Sequence, residues 1–246
     1  MKRVLLKLSG EALAGDKQTG FDEATCLAVA DQVKQLVEQG MQIAVVTGGG
    51  NFWRGRQSPE MDRSMADSIG MLATVMNCIY VSDIFRRVGL KTSIYTPFQC
   101  GPFTKLYTHD AADASLENGE VVFFAGGTGH PYFSTDTGAV LRALEMNVDA
   151  MLLAKNIDGV YDRDPHAFSD ARLIEYVDDI EAVRESIDTD GKSDFGTGGI
   201  VTKLNAAEIV NRYGTAMLLV NSRKEDILGR LARGEEKATV FVKDSV

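Results

Sequence analysis

Cysteine and histidine are scarce in this chain, three of each. Cys26, Cys78 and Cys100 are odd in number and widely spaced, and no CxxC pair occurs. Neither a disulfide framework nor a zinc site is expected, and a reducing cytoplasm is the expected compartment. His109, His130 and His166 are too dispersed to read as a metal triad. No apolar run is expected to approach the ~18–20 residues that span a bilayer. The basic start Lys2-Arg3 is followed by Lys7 and Ser9 with no small-residue cleavage site, so a signal peptide is not expected. Positive charge is also in deficit: 26 Lys and Arg stand against 35 Asp and Glu, a net charge of −9. Nucleic acids and anionic membranes reward the opposite balance and are not expected partners. An anionic small molecule remains compatible with that balance, given a few well-placed basic groups. There is no low-complexity tract, fixed repeat or Pro/Ser-rich linker, so the 246 residues read as one domain of two lobes.

Short apolar runs alternate with amphipathic stretches. Val4–Leu8, Met41–Thr47, Leu90–Thr96, Glu120–Ala125, Ala150–Ala154, Thr215–Val220 and Ala238–Val242 read as strands, with Arg172–Val177 as a further candidate. Helices are predicted from the Asp22 cap to about Gln39 and from a Ser58-Pro59 start to about Val88, with Gly70 as a possible interruption. Further helices are predicted near 109–118, 136–147, 179–187 and 199–213, and from a Ser222 cap to about Arg233. Residues 9–20 and 97–108 read as loops. Continuously apolar strands alternating with helices indicate a three-layer αβα sandwich around a mainly parallel sheet. In such folds ligands sit at the carboxyl ends of the strands.

Those ends are rich in glycine: Ser9-Gly10, Gly48-Gly49-Gly50-Asn51 and Gly126-Gly127-Thr128-Gly129. Glycine lets the backbone approach a ligand and aim N–H groups at it. A fourth run, Gly196-Thr197-Gly198-Gly199, opens a predicted helix, whose N-terminus favours anions. Lys7, Arg54 and Lys203 lie beside these runs. Lys7 is the most telling, because it interrupts a strand that otherwise reads as buried, where an unpaired charge is costly. Phosphoryl transfer needs such a set, since the phosphoryl oxygens must be held and oriented. The Walker pattern fails, because Gly191-Lys192-Ser193 has Ser186 where glycine is required. No GxGxxG follows a strand.

The assembled segments resemble the bacterial uridylate (UMP) kinases of the amino-acid-kinase superfamily. They are Lys7–Leu13, Gly48–Gly55, Asp67–Asn77, Gly127–Asp136 and Asp158–Pro165, and the match runs in order through about residue 180. The resemblance implies ATP-dependent conversion of UMP to UDP in pyrimidine nucleotide biosynthesis, with Mg²⁺ carried on the ATP phosphates, in a cytoplasmic homo-oligomer, usually a hexamer. It implies an acceptor lobe before about residue 150 and an ATP lobe after it. Lys7, Leu8, Ser9, Gly10, Gly50, Arg54, Lys155, Tyr161, Asp164 and Lys203 would face ATP. Gly49, Asp67 and the run Thr128, Gly129, His130, Pro131, Tyr132, Phe133, Ser134 and Thr135 would face UMP, with Asp67 accepting from the ribose hydroxyls. Lys7, Arg54, Asp136 and Lys203 would carry the catalysis. Met71, Leu72, Val75 and Met76 read as core or subunit-interface residues.

Two features depart from that pattern. Gly196–Lys203 resembles the GTGG-x-x-TK stretch of glutamate 5-kinase and aspartokinase relatives, which makes Lys203 a second phosphate lysine opposite Lys7. His130 stands where Asn or Ser is more usual. An acyl-phosphate kinase, or a nucleotide- or oxyanion-binding protein without turnover, are the alternative readings.

Overall fold

A computed structural model describes residues 1–17, 19–53, 60–155, 158–163, 168–186, 199–221, 224 and 226–242. The described strands are β1 (Arg3–Leu8), β2 (Gln42–Thr47), β3 (Thr92–Thr96), β4 (Lys105–Leu106), β5 (Val121–Phe124) and β6 (Ala150–Lys155). They continue with β7 (Val160–Tyr161), β8 (Leu173–Ile174), β9 (Tyr176–Val177), β10 (Ala216–Asn221) and β11 (Thr239–Phe241). The helices are α1 (Gly10–Ala14), α2 (Glu23–Glu38), α3 (Arg63–Arg87), α4 (His109–Glu117), α5 (Thr135–Glu145), α6 (Ile180–Ser186), α7 (Gly199–Arg212) and α8 (Ile227–Ala232).

Nine strands form one sheet in the order β4-β3-β5-β2-β1-β6-β10-β11-β9. All its pairings are parallel except β10 with β11. β7 and β8 make a separate antiparallel pair. One apolar core holds Cys26, Val33, Val75 and Phe85 from α2 and α3, with Leu228 of α8, against one face of the sheet. The other holds Leu116, Ala139, Val183 and Leu204 from α4 to α7 against the opposite face. The expected three layers are therefore present. β1 shows how the sequence selects them. Its side chains alternate, so Val4, Leu6 and Leu8 enter the first core and Leu5 the second. Lys7 shares the parity of Leu5 and so faces the layer of α5 and α7.

Asp22 caps α2 as its position suggests, with Oδ1 accepting from Thr25 N at 2.9 Å. Other boundaries differ from expectation. α3 begins after Asp62, whose carboxylate accepts from Met65 N at 3.1 Å, and not at Ser58-Pro59, which lie outside the described residues. Gly70 does not interrupt α3. A Cβ on Gly49 would fall 2.9 Å from the Gly70 carbonyl, so the glycines permit close packing between the loop and this helix. The 9–20 loop contains α1 and a short 3-10 turn, and the 97–108 loop contains β4. Arg172–Val177 divides between β8 and β9, which belong to different sheets. α8 starts at Ile227, and the expected Ser222 cap lies outside the described residues.

α3 also corrects the search for long apolar runs. By length and composition alone its 25 residues could cross a membrane. In this fold half of its most apolar 18-residue window is buried in the protein. Its buried side chains include the polar Thr74, Asn77 and Ser82, which is the mark of a helix packed on a sheet.

Phe123 is fully buried on β5, edge-on to Phe85 of α3 at 5.2 Å. Phe123→Ala should cost about 3–5 kcal/mol. Urea unfolding should show this as a lower midpoint at unchanged slope. An unchanged midpoint would mean that this contact between helix and sheet carries no stability.

Candidate active site

β1 lies at the centre of the sheet, between β2 and β6. The carboxyl ends of β1 and β2 open into the Ser9-Gly10 and Gly48–Gly50 turns. Lys7 is only 3% exposed, and its Nζ lies 2.5 Å from Asp136 Oδ1. Asp136 stands in the first turn of α5, which Ser134 caps by accepting from Thr137 N. α5 packs on α7, which brings Lys203 of α7 into the field of both groups. Burial pushes the Lys203 ammonium below its ordinary value. Asp136 pulls it back up, and the positive charge of Lys7 adds to the lowering. These three groups carry two positive charges and one negative charge, a sum of +1. Such a cluster, poorly reached by water, rewards an anion.

A cavity opens beside this cluster, lined by Gly49, Asp67, Thr128, His130, Phe133 and Thr135. Trp53, Ala66, Gly70, Met71, Thr74 and Gly127 complete its wall. Asp67 Oδ2 accepts from Tyr132 N at 2.7 Å and from Arg63 Nε at 2.8 Å. Tyr132 adopts a left-handed φ of 73°, which helps turn the 128–134 loop over α3. α3 clamps two glycine turns. Thr74 Oγ1 accepts from Gly126 N at 2.8 Å, and Asn77 Nδ2 donates to the Gly48 carbonyl at 2.6 Å. Trp53 is pinned by its Nε1–H donating to the Ala66 carbonyl at 2.8 Å.

The structure thus joins Lys7, Asp136 and Lys203 in one cluster. It also places Gly49, Asp67, Thr128, His130, Phe133 and Thr135 around one cavity. Gly129, Pro131, Tyr132 and Ser134 belong to the same loop but are not among the cavity-lining residues. Leu8 is buried in the first core, Ser9 caps α1 by accepting from Ala12 N at 3.1 Å, and Gly10 opens that helix. Gly50 follows Gly49 in the turn after β2. Lys155 ends β6, paired in register with Asn221. Tyr161 lies on β7, with its hydroxyl 3.4 Å from Asp158 Oδ2. Burial raises Asp158, yet hydrogen bonds from Asn221 and Lys224 outweigh it and hold the carboxyl below its usual value. Arg54, Asp164 and Gly196–Gly198 lie outside the described residues.

Sequence reasoning gave no role in the site to Trp53, Gly70 and Thr74. They lie inside the segments that carry the resemblance, and helical spacing from Asp67 could have found Gly70 and Thr74. The thiols are not part of the site. Cys26 and Cys78 are fully buried, and burial pushes them up to about 11 and about 12, which keeps them unreactive. Among the described residues no group of three or more His, Cys, Asp or Glu could hold a metal ion.

A lysine–carboxylate–lysine cluster built on the buried Lys7, between glycine turns at the carboxyl ends of a parallel sheet, defines a phosphate-handling α/β enzyme. The model of the amino acid kinase family matches residues 2–221, and the chain belongs to that family and is a kinase. The whole fold is similar to the crystal structure of UMP kinase from Bacillus anthracis, with a TM-score of 0.86 at 30% identity, covering 99% of this chain and 97% of the other. It is also similar to UMP kinase from Ureaplasma parvum, with a TM-score of 0.85 at 27% identity, covering 98% and 99%.

The lowered Lys203 value has a direct consequence. Its ammonium loses its proton at lower pH than a free lysine, so kcat/KM, which reports the nucleotide-free enzyme, should fall with rising pH at a midpoint below 10.5. Lys203→Arg stays charged throughout and should move that fall upward. The same midpoint in both enzymes would place the titration on another group.

Proposed function

We propose that this kinase transfers the γ-phosphoryl group of ATP to UMP, giving ADP and UDP for pyrimidine nucleotide synthesis in the cytoplasm. The observation that carries this reading is the shared Thr135–Asp136 turn. Thr135 lines the cavity that holds Asp67, and Asp136 pairs with Lys7. An acceptor nucleotide in the cavity would therefore end at the charged cluster. The kinship with two UMP kinases supports this choice of acceptor.

The acceptor lobe is residues 1–150 and the ATP lobe is 151–246. Gly49, Asp67 and Thr128–Thr135 hold UMP, with the Asp67 carboxylate receiving the ribose hydroxyls. Leu8–Gly10, Gly50, Arg54, Lys155, Tyr161 and Asp164 hold ATP. Lys7 and Lys203 take the phosphoryl oxygens from two sides, and Asp136 keeps both ammoniums aimed. The attacking phosphate of UMP is largely ionised at neutral pH, since its second pKa is about 6. The chain therefore needs no general base, and positioning with charge compensation supplies the rate. A lone carboxylate such as Asp136 suits Mg²⁺ held mainly through phosphates, where the ion neutralises developing charge.

The outward face of α3 supports self-assembly. Asp62, Met65, Ile69, Leu72, Met76, Ile79, Asp83 and Arg86 recur at alternating steps of three and four, and all are exposed. Leu72 is 50% and Met76 48% exposed. That spacing is the seam of a helix pair, about 36 Å long. A two-fold antiparallel pairing about position 74 sets Leu72 against Met76, Ile69 against Ile79 and Asp62 against Arg86. Met65 falls opposite Asp83, the least matched step. Parallel pairing would oppose Asp62 to Asp62. Three such pairs would make the hexamer that the resemblance implies.

A panel of mononucleotides with ATP, Mg²⁺ and product identification tests the reading. It predicts UDP from UMP. Phosphorylation of glutamate or another acid in place of UMP would favour the acyl-phosphate reading suggested by Gly196–Lys203. Binding without turnover would mark a storage or regulatory protein. Lys203→Ala should lower kcat at least about ten-fold, and unchanged steady-state kinetics would remove that lysine from the site. Asp67→Asn should raise KM for UMP and leave KM for ATP nearly unchanged. Equal losses for both would assign Asp67 a structural role. Leu72→Glu should reduce the sedimenting species to a smaller one, whereas a parent enzyme that sediments as a monomer would contradict the seam.

A further inference from the structure

Asn77 stands in the middle of α3, and Asn51 closes the glycine run after β2. Their side chains are 0% and 1% exposed. Asparagine is a poor helix former, and a buried amide is costly unless its donors and acceptors are met. Here the two amides meet each other. Asn77 Nδ2 donates to Asn51 Oδ1 at 2.7 Å, and Asn51 Nδ2 donates to Asn77 Oδ1 at 3.1 Å.

The remaining donor bonds go to the backbone of two turns. Asn77 Nδ2 donates to the Gly48 carbonyl at 2.6 Å, and Asn51 Nδ2 to the Gly20 carbonyl at 2.8 Å. The Asn51 carbonyl accepts from Gly20 N at 3.2 Å. A third segment closes on the pair. A Cβ on Gly10 would fall 2.5 Å from Asn51 Oδ1 and 2.7 Å from Gly50 N, so only glycine fits there. The turn at Gly10, the turn at Gly20 and the turn at Gly48–Gly50 therefore share one buried junction.

We propose that Asn51 and Asn77 are positioning residues whose reciprocal amide pair fixes the Ser9–Gly10 turn against the Gly48–Gly50 turn, and so aligns donor and acceptor phosphates. This rests on the phosphoryl-transfer reading, in which those two turns serve the two phosphates. Both side chains are buried and act through the turns they hold. An in-line displacement is sensitive to such a spacing, since a misplacement of about 1 Å can cost about 100-fold in rate.

Asn77→Asp keeps the shape and removes the donors. When ionised it turns a carboxylate toward the Gly48 carbonyl and Asn51 Oδ1. Burial and those acceptors both disfavour the charge and push the carboxyl up. When protonated it can donate one of the two bonds. The expected result is a kcat lower by at least about ten-fold at pH 8, with both KM values within about three-fold. Part of the loss should return as the pH falls toward 6, a limb that the parent enzyme lacks. Hydrogen exchange without substrate should be faster at Gly48–Gly50 in the variant and unchanged in the core of β2.

An unchanged kcat would overturn the proposal, as would a loss spread over kcat and both KM values with no recovery at low pH. Unchanged exchange at Gly48–Gly50 would overturn it too. If Asn77→Asp does not fold, Asn51→Asp, which frees the Gly20 carbonyl, must show the same split between kcat and KM. A parent enzyme without nucleotide turnover would instead remove the phosphoryl-transfer reading, and the exchange result would still decide whether the pair holds the turns.

Discussion

The ion pair between Lys7 and Asp136 sits where an unpaired charge is poorly tolerated, at the end of the central strand and under two packed helices. Removing one partner of a buried pair typically costs about 3–5 kcal/mol, because the other charge is left uncompensated. That constraint fixes the end of β1 against the start of α5. Lys203 arrives on α7 and is held below its ordinary proton affinity chiefly by burial. Two ammoniums around one carboxylate leave a site whose electrostatics are completed by an anion. The acidic chain can thus hold a polyanion, because local placement outweighs the overall charge of −9.

α3 is the second organising element, and its two faces do different work. Inward, Asp67, Gly70, Thr74 and Asn77 meet the cavity and the glycine turns. Outward, Leu72 and Met76 belong to a regular apolar seam. The same helix that shapes the proposed acceptor cavity therefore also carries the face proposed to meet a second copy. A change in the tilt of α3 would be felt by the turns at Gly48 and Gly126, because Asn77 and Thr74 bond them directly.

The strands were legible because parallel strands buried on both faces are written as short apolar runs. Lys7 was legible as an anomaly in one such run, and its burial against a carboxylate is the reason. The start of α3 was misplaced because Ser58-Pro59 and Asp62 offer competing caps, and local chemistry cannot rank them. The length of α3 as an apolar helix was missed because Asp67 and Asp83 break the run. Its outward seam was obscured because both faces carry apolar residues, which blurs the usual period. The meeting of Asp136 with Lys203 was not readable from spacing, since the packing of α5 on α7 creates it. The resemblance supplied Asp136, the glycine run at the start of α7 pointed to Lys203, and the fold supplied their proximity.

The most direct measurement compares thermal unfolding of the parent enzyme and Asp136→Asn, each with and without ATP. Without nucleotide the variant should melt lower, because Lys7 and Lys203 lose their shared counter-charge. With ATP it should gain more in Tm than the parent, because the polyphosphate takes over that compensation. Equal melting temperatures without nucleotide, or a smaller gain with ATP, would contradict the claim that the cluster is a charge frame completed by phosphate.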